Sequence, residues 1–173
     1  MQYLYHAVPS DLKDNKLYPL NTLKEKHPGL FSLESSKYKG REDVAQQAIP
    51  LLDCLWGDVI FMTAVHPQIL MEAYKKAGGK INRSAQFFQI DVELLQKENI
   101  AVAIYSGEGD EKIYESYDTD HIKEYSTIPD RTVEYFTEQL QQNNLPLYYA
   151  YIPHILYKGT IDTTDLPIVE VGP

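Results

Sequence analysis

With 173 residues, 43% of them hydrophobic and 24% charged, the chain is long enough to bury a continuous core and too apolar to stay disordered. Its 25 acidic and 16 basic residues give a formal net charge of -9, which disfavours nucleic acid as a partner unless the cations gather on one face. The 14 Tyr against 5 Phe and 1 Trp place a hydroxyl on most aromatic side chains, so a semi-polar core or a Tyr-lined cleft is expected.

The run Gln2 to Val8 alternates bulky and small or polar residues before Pro9 and predicts an early strand, with His6 on one face and Tyr5 on the other. From Ser10 to Gly40 the pattern breaks at Pro19, Pro28 and Gly29, and predicts an irregular excursion over one side of the core. A helix is expected from about Arg41 to Ala48, stopped ahead of Pro50. Asp58 to Thr63 reads as a buried strand. His66-Pro67 then opens a helix whose apolar face, Ile69, Leu70, Ala73, Tyr74 and Ala77, runs to Gly78-Gly79. Strands follow at Ala85 to Ile90 and Ile100 to Tyr105, separated by a helical turn capped by Asp91. The acidic stretch from Gly107 to Asp120 fits a hairpin or an exposed loop. A helix from Asp130 to Asn143 is predicted with Asp130 as N-cap and Val133, Phe136 and Leu140 on one face. Three extended pieces close the chain, Leu147 to Ile152, Ile155 to Ile161 and Ile168 to Val171, with a turn at Asp162 to Asp165. Consecutive strands, no repeat and no Ser/Gly-rich linker together indicate one α+β domain of mostly antiparallel sheets with about three helices.

No phosphate-binding Gly-rich loop, CxxC pair, HExxH or GxSxG is present, and no metal is expected. The glycines of Gly107-Glu108-Gly109 sit among acids that repel phosphate, and a Ca²⁺ loop pattern is missing. The cluster Lys37, Lys39 and Arg41 reads as solvated surface. Cys54, between Leu52 and Leu55, reads as a buried, inert thiol. As the only cysteine it allows no intramolecular disulfide, and with no leader-like start and no run near ~18 apolar residues the expected setting is cytoplasmic. Among five histidines, His6, His66 and His154 stand at strand ends or strand-to-helix junctions, where clefts form and side chains converge.

The order of these pieces resembles the ADP-ribosyltransferase-like fold in its small bacterial versions, which open on a strand carrying a Tyr-His pair; here it is Leu4-Tyr5-His6. Val59 to Thr63 matches the second strand, with Thr63 at its end, and Ile152-Pro153-His154 with Gly159 resembles the closing part. The resemblance implies a split sheet with NAD as ligand or substrate, His6 on the nicotinamide ribose and a Glu on a late strand for catalysis. The late-strand candidate is Glu170, within four residues of the end of the sequence, because Glu138 falls on a helix. Its carboxylate would stabilise the oxocarbenium-like charge that develops as nicotinamide leaves.

Two functions follow as expectations. One is an NAD- or nucleotide-binding protein, with ADP-ribose transfer as its reaction, His6 and Glu170 catalytic, and His6, Arg41, Thr63, Tyr149, Tyr151 and His154 around a small anionic ligand. The other is a non-enzymatic module that binds a protein partner through its acidic, Tyr-rich surface. A shared cleft for His6 and His154 separates them.

Overall fold

A computed structural model describes residues 1–105 and 111–173. Strand β1 (Tyr3–Ala7) opens the chain, and β2 (Lys16–Leu17) leads into helices α1 (Leu20–Lys26) and α2 (Pro28–Ser35). A 3-10 segment, Glu42–Gln46, precedes the short strands β3 (Ala48–Ile49) and β4 (Cys54–Leu55). Next come β5 (Ile60–Met62), α3 (Pro67–Lys76), β6 (Ala85–Asp91), β7 (Ile100–Tyr105) and β8 (Lys112–Ser116). The chain closes with α4 (Ile122–Tyr125), α5 (Asp130–Gln141), β9 (His154–Tyr157), β10 (Ile161–Asp162) and β11 (Ile168–Val171). The fold is α+β, and the paired strands are antiparallel. Among the described residues no helix is long and apolar enough to cross a membrane.

Two sheets carry the architecture, one ordered β1-β6-β11 and the other β5-β9-β7-β8. Strand β7 is central in the second, and its period-two alternation feeds both faces. Ile100 and Val102 enter the larger core cluster with Leu4, Met62, Phe88 and Ile155, while Ala101 and Ala103 pack with Ile49, Trp56, Val59 and Leu156. The two sheets join through one reciprocal bridge. Tyr5 N donates to Thr63 O at 2.8 Å and Thr63 N to Tyr5 O at 3.1 Å. Beyond this bridge β1 and β5 are not paired among the described residues, so the two sheets are split there.

Helix α3 starts as its residues dictate: His66 Nδ1 accepts from Gln68 N at 3.2 Å, and Pro67 lacks the N–H that the first turn would leave unpaired. The turn after β6 also matches expectation, with Asp91 accepting from Glu93 N at 3.0 Å. Within the acidic stretch β8 pairs with β7 from Ala101↔Ser116 to Tyr105↔Lys112; residues 106–110, which include Gly107-Glu108-Gly109, lie outside the described residues.

Four expectations are corrected. The Ser10 to Gly40 stretch holds two helices, because Pro28 occupies the first turn of α2, where proline is favoured. The helix expected from Arg41 is only the 3-10 segment Glu42–Gln46. Asp130 is the first residue of α5, and Pro129 takes the cap position. Leu147 to Ile152 is a turn: Ala150 N returns to Leu147 O and Tyr151 adopts φ 62°. Two of its polar groups go to α5, where Thr132 Oγ1 donates to Ala150 O at 2.8 Å and Leu147 N donates to Tyr135 Oη at 3.2 Å. Stacking of Tyr148 on Phe136, with centroids 6.2 Å apart at 20°, holds the turn against the helix.

Candidate functional site

The split between the sheets opens into a cavity of about 1030 Å³. Its lining includes His6, Ala7 and Val8, the Val59 to Thr63 segment, and residues of α1, α2 and the turn that follows. Tyr105, Lys112, Tyr135 and the Leu147 to His154 segment close the far end. His6, Arg41, Thr63, Tyr149, Tyr151 and His154 therefore all line one cavity, and the two histidines share it. Glu170 does not. It stands exposed on β11 beside Gln86, whose Nε2 lies 3.4 Å away, because β11 is the far edge of the first sheet and β6 separates it from β1. Glu170 is thus not brought together with the other candidate residues.

Both histidines are fixed in the same way. His6 Nδ1 lies 2.7 Å from Ala7 O and His154 Nδ1 2.8 Å from Ile152 O. A carbonyl only accepts, so Nδ1 carries the proton and Nε2 is left as a lone-pair acceptor. Burial pushes His6 below the ordinary histidine range, with Lys37 pushing the same way and Glu34 opposing. Burial lowers His154 to about 4, reinforced by Lys112. Both rings are neutral at physiological pH, and no buried side-chain polar atom among the described residues lacks a partner. Neither Nε2 has a protein partner among those residues, so both are open to the cavity.

Around His154 stands an aromatic corner. The Trp56, Phe61 and Tyr105 rings lie 6.4, 6.4 and 5.5 Å from it. Tyr105 continues to Tyr151 at 6.1 Å and Tyr151 to Tyr135 at 5.7 Å. Lys112 Nζ sits 4.5 Å over the Trp56 ring and 5.6 Å over Tyr105, both cation–π distances. Tyr149 is held protonated, its hydroxyl pushed up to about 12 by burial. The Thr63 hydroxyl oxygen accepts from Val65 N at 3.0 Å, so its first duty is to the turn before α3. Arg41 is exposed at the rim.

The charge of the lining reverses that of the chain. Lys13, Lys16, Lys37, Arg41 and Lys112 face Asp11 and Glu34 as the only lining carboxylates among the described residues. Asp11 pairs with Lys13 at 2.8 Å and Glu34 with Lys37, and Lys16 interacts with Asp14 and Asp162 outside the lining. Lys37 and Arg41 are exposed, as their reading as solvated surface expects, and they stand at the rim of the cavity. Trp56, Phe61, Tyr105 and Lys112 were not singled out from sequence. Pairing across β7 and β8 brings Lys112 opposite Tyr105, a register that no local pattern signals.

Cys54 lies apart, half-buried on β4 beside a smaller hollow of about 390 Å³ rather than in the core. Burial still raises its thiol, so little thiolate forms at neutral pH. No group of His, Cys, Asp and Glu suited to a metal occurs among the described residues. Comparison of the chain with family models, with curated proteins and with solved structures finds no match.

Proposed function

We propose that the cavity binds a small anionic nucleotide of dinucleotide size, with NAD as the ligand that the resemblance to ADP-ribosyltransferases suggests. The observation that carries this reading is the convergence of a cationic lining, an aromatic wall and two neutral histidines in the split between two sheets, on a chain of net charge -9. Phosphate oxygens suit Lys16 and Arg41, and planar rings suit the Tyr105–Tyr151 wall. His6 Nε2, an acceptor only, suits a ribose hydroxyl. A volume of about 1030 Å³ reaches the upper end of ordinary small-molecule sites, which run to roughly 1,000 Å³.

The proposal is for binding first. Transfer of ADP-ribose needs a group that stabilises positive charge at the ribose, and Glu170 stands elsewhere; Glu34, on α2 near His6, is the cavity acid closest to that role. A cytoplasmic setting, where NAD is plentiful, accords with the single unpaired Cys54. The competing interaction-module reading is less favoured because His6 and His154 share one cavity.

The test is thermal unfolding of the whole chain with NAD, ADP-ribose and ADP. A ligand at 100 times its Kd adds about 2.7 kcal/mol, and a rise of roughly 5–10 °C in Tm is expected for at least one of them. His6→Ala should abolish that shift while leaving the unliganded Tm within a few degrees. No shift with any of the three overturns the reading and leaves the interaction module.

A further inference from the structure

We propose that His154 makes the cavity selective for ligands whose ring bears an exocyclic N–H, an amine or a carboxamide, over the same ring without that donor. This rests on the nucleotide reading and adds to it the chemistry of the ring that the far end accepts.

Pro153 follows Ile152, the chain then enters β9 at His154, and the Ile152 carbonyl meets His154 Nδ1 at 2.8 Å. That contact fixes both tautomer and ring orientation, because only a protonated Nδ1 can face a carbonyl. Nε2 is then a lone pair with no protein donor among the described residues. It is not sealed in, since no buried side-chain polar atom there lacks a partner, and the residue lines the cavity.

The surroundings make this lone pair discriminating. Trp56 and Phe61 each lie 6.4 Å from the His154 ring, at 45° and 86°, and Tyr105 lies 5.5 Å away at 64°. A planar ring packed into this corner displaces water from Nε2. A ring with an outward N–H replaces the lost water bond, whereas one with hydrogen or methyl in that position leaves a buried acceptor unpaired. Protonation does not rescue the second case, because burial and Lys112 both oppose a positive His154.

Calorimetric titration of the whole chain tests this with two ligand pairs. NAD is compared with its 3-acetylpyridine analogue, in which methyl replaces the carboxamide NH₂. ADP is compared with purine riboside diphosphate, in which hydrogen replaces the 6-amino group. Kd should differ by about tenfold in at least one pair, the usual consequence of an unpaired buried acceptor. His154→Phe, which keeps an aromatic ring in the corner and removes the acceptor, should bring that pair within about twofold. Equal affinities within both pairs for the unaltered protein overturn the inference and leave nucleotide binding standing, a result that does not depend on any variant folding. Discrimination that survives His154→Phe overturns it as well. Failure of both NAD and ADP to bind overturns the nucleotide reading and this inference with it.

Discussion

His154 shows how one side chain links stability to binding. Unfolded, its imidazole takes up a proton near pH 6.5; folded, it stays neutral down to about 4 because charging it would leave an imidazolium out of water beside Lys112. Between those values the unfolded chain binds more protons than the folded one, so the contribution of His154 is complete above pH 6.5 and is lost as pH falls toward 4. His6, also lowered, acts in the same direction. Thermal unfolding followed from pH 7 to 4.5 should show Tm falling less in His154→Phe than in the unaltered chain. Parallel curves for the two proteins would show that His154 is not buried neutral. Residues of this kind were legible in the sequence through position: His6 and His154 stand where strands begin or end, and clefts form there. Trp56 and Lys112 were not, since one precedes a strand and the other sits within an acidic run, and only the pairing of β7 with β8 and the packing of Trp56 on Phe61 at 4.7 Å bring them to the site.

At the scale of elements, local chemistry and long-range packing divide the molecule. Strands β1, β6, β7 and β11 and helix α3 follow from alternation, periodicity and caps, all carried by neighbouring residues. Helices α1 and α2 were missed because Pro19 and Pro28 were read as breaks, although proline at or just ahead of the first turn starts a helix as readily as it ends one. Helix α2 buries no residue, so no strong apolar stripe advertised it. The Leu147 to Ile152 turn fails in the opposite way: its alternation is strand-like, but α5 takes two of its polar groups. The end of α3 supplies a stability test. A Cβ on Gly79 would lie 2.1 Å from Tyr74 Cε1, and that ring is held by Phe136 at 5.5 Å and Tyr148 at 5.6 Å. The ring cannot move without disturbing the cluster that also supports the Tyr148–Tyr149 turn. Gly79→Ala should cost about 1–3 kcal/mol, as overpacked cores do, and lower Tm by roughly 3–10 °C in a thermal melt. An unchanged Tm would mean that the helix end relaxes freely.

Across the whole molecule, acidity and cavity charge oppose each other, and ionic strength decides which one a ligand feels. A phosphate near Lys16 or Arg41 at ~5 Å gains about 3 kcal/mol per contact at an effective dielectric of ~20. The net charge of -9 acts from farther away. At ~20 Å in water each charge costs about 0.2 kcal/mol before screening, and a Debye length of about 10 Å at 0.1 M salt removes most of that. Local attraction therefore outweighs global repulsion, a conclusion that composition alone reverses, because the cations are scattered in sequence and gather only when α2 and the turn after it fold over the split. The sign of the salt effect follows. Raising salt from 0.05 to 0.5 M should weaken ADP binding several-fold, measured by calorimetric titration, while adenosine, which has no phosphate, should change little. If the acidic surface governed binding instead, screening would relieve repulsion and ADP would bind more tightly at high salt. That result would place the phosphates away from Lys16 and Arg41. Charge reversal at Lys37 and Arg41 sharpens the comparison: Lys37→Glu with Arg41→Glu should turn the remaining salt dependence toward tighter binding at high salt, while the adenosine affinity stays within about twofold.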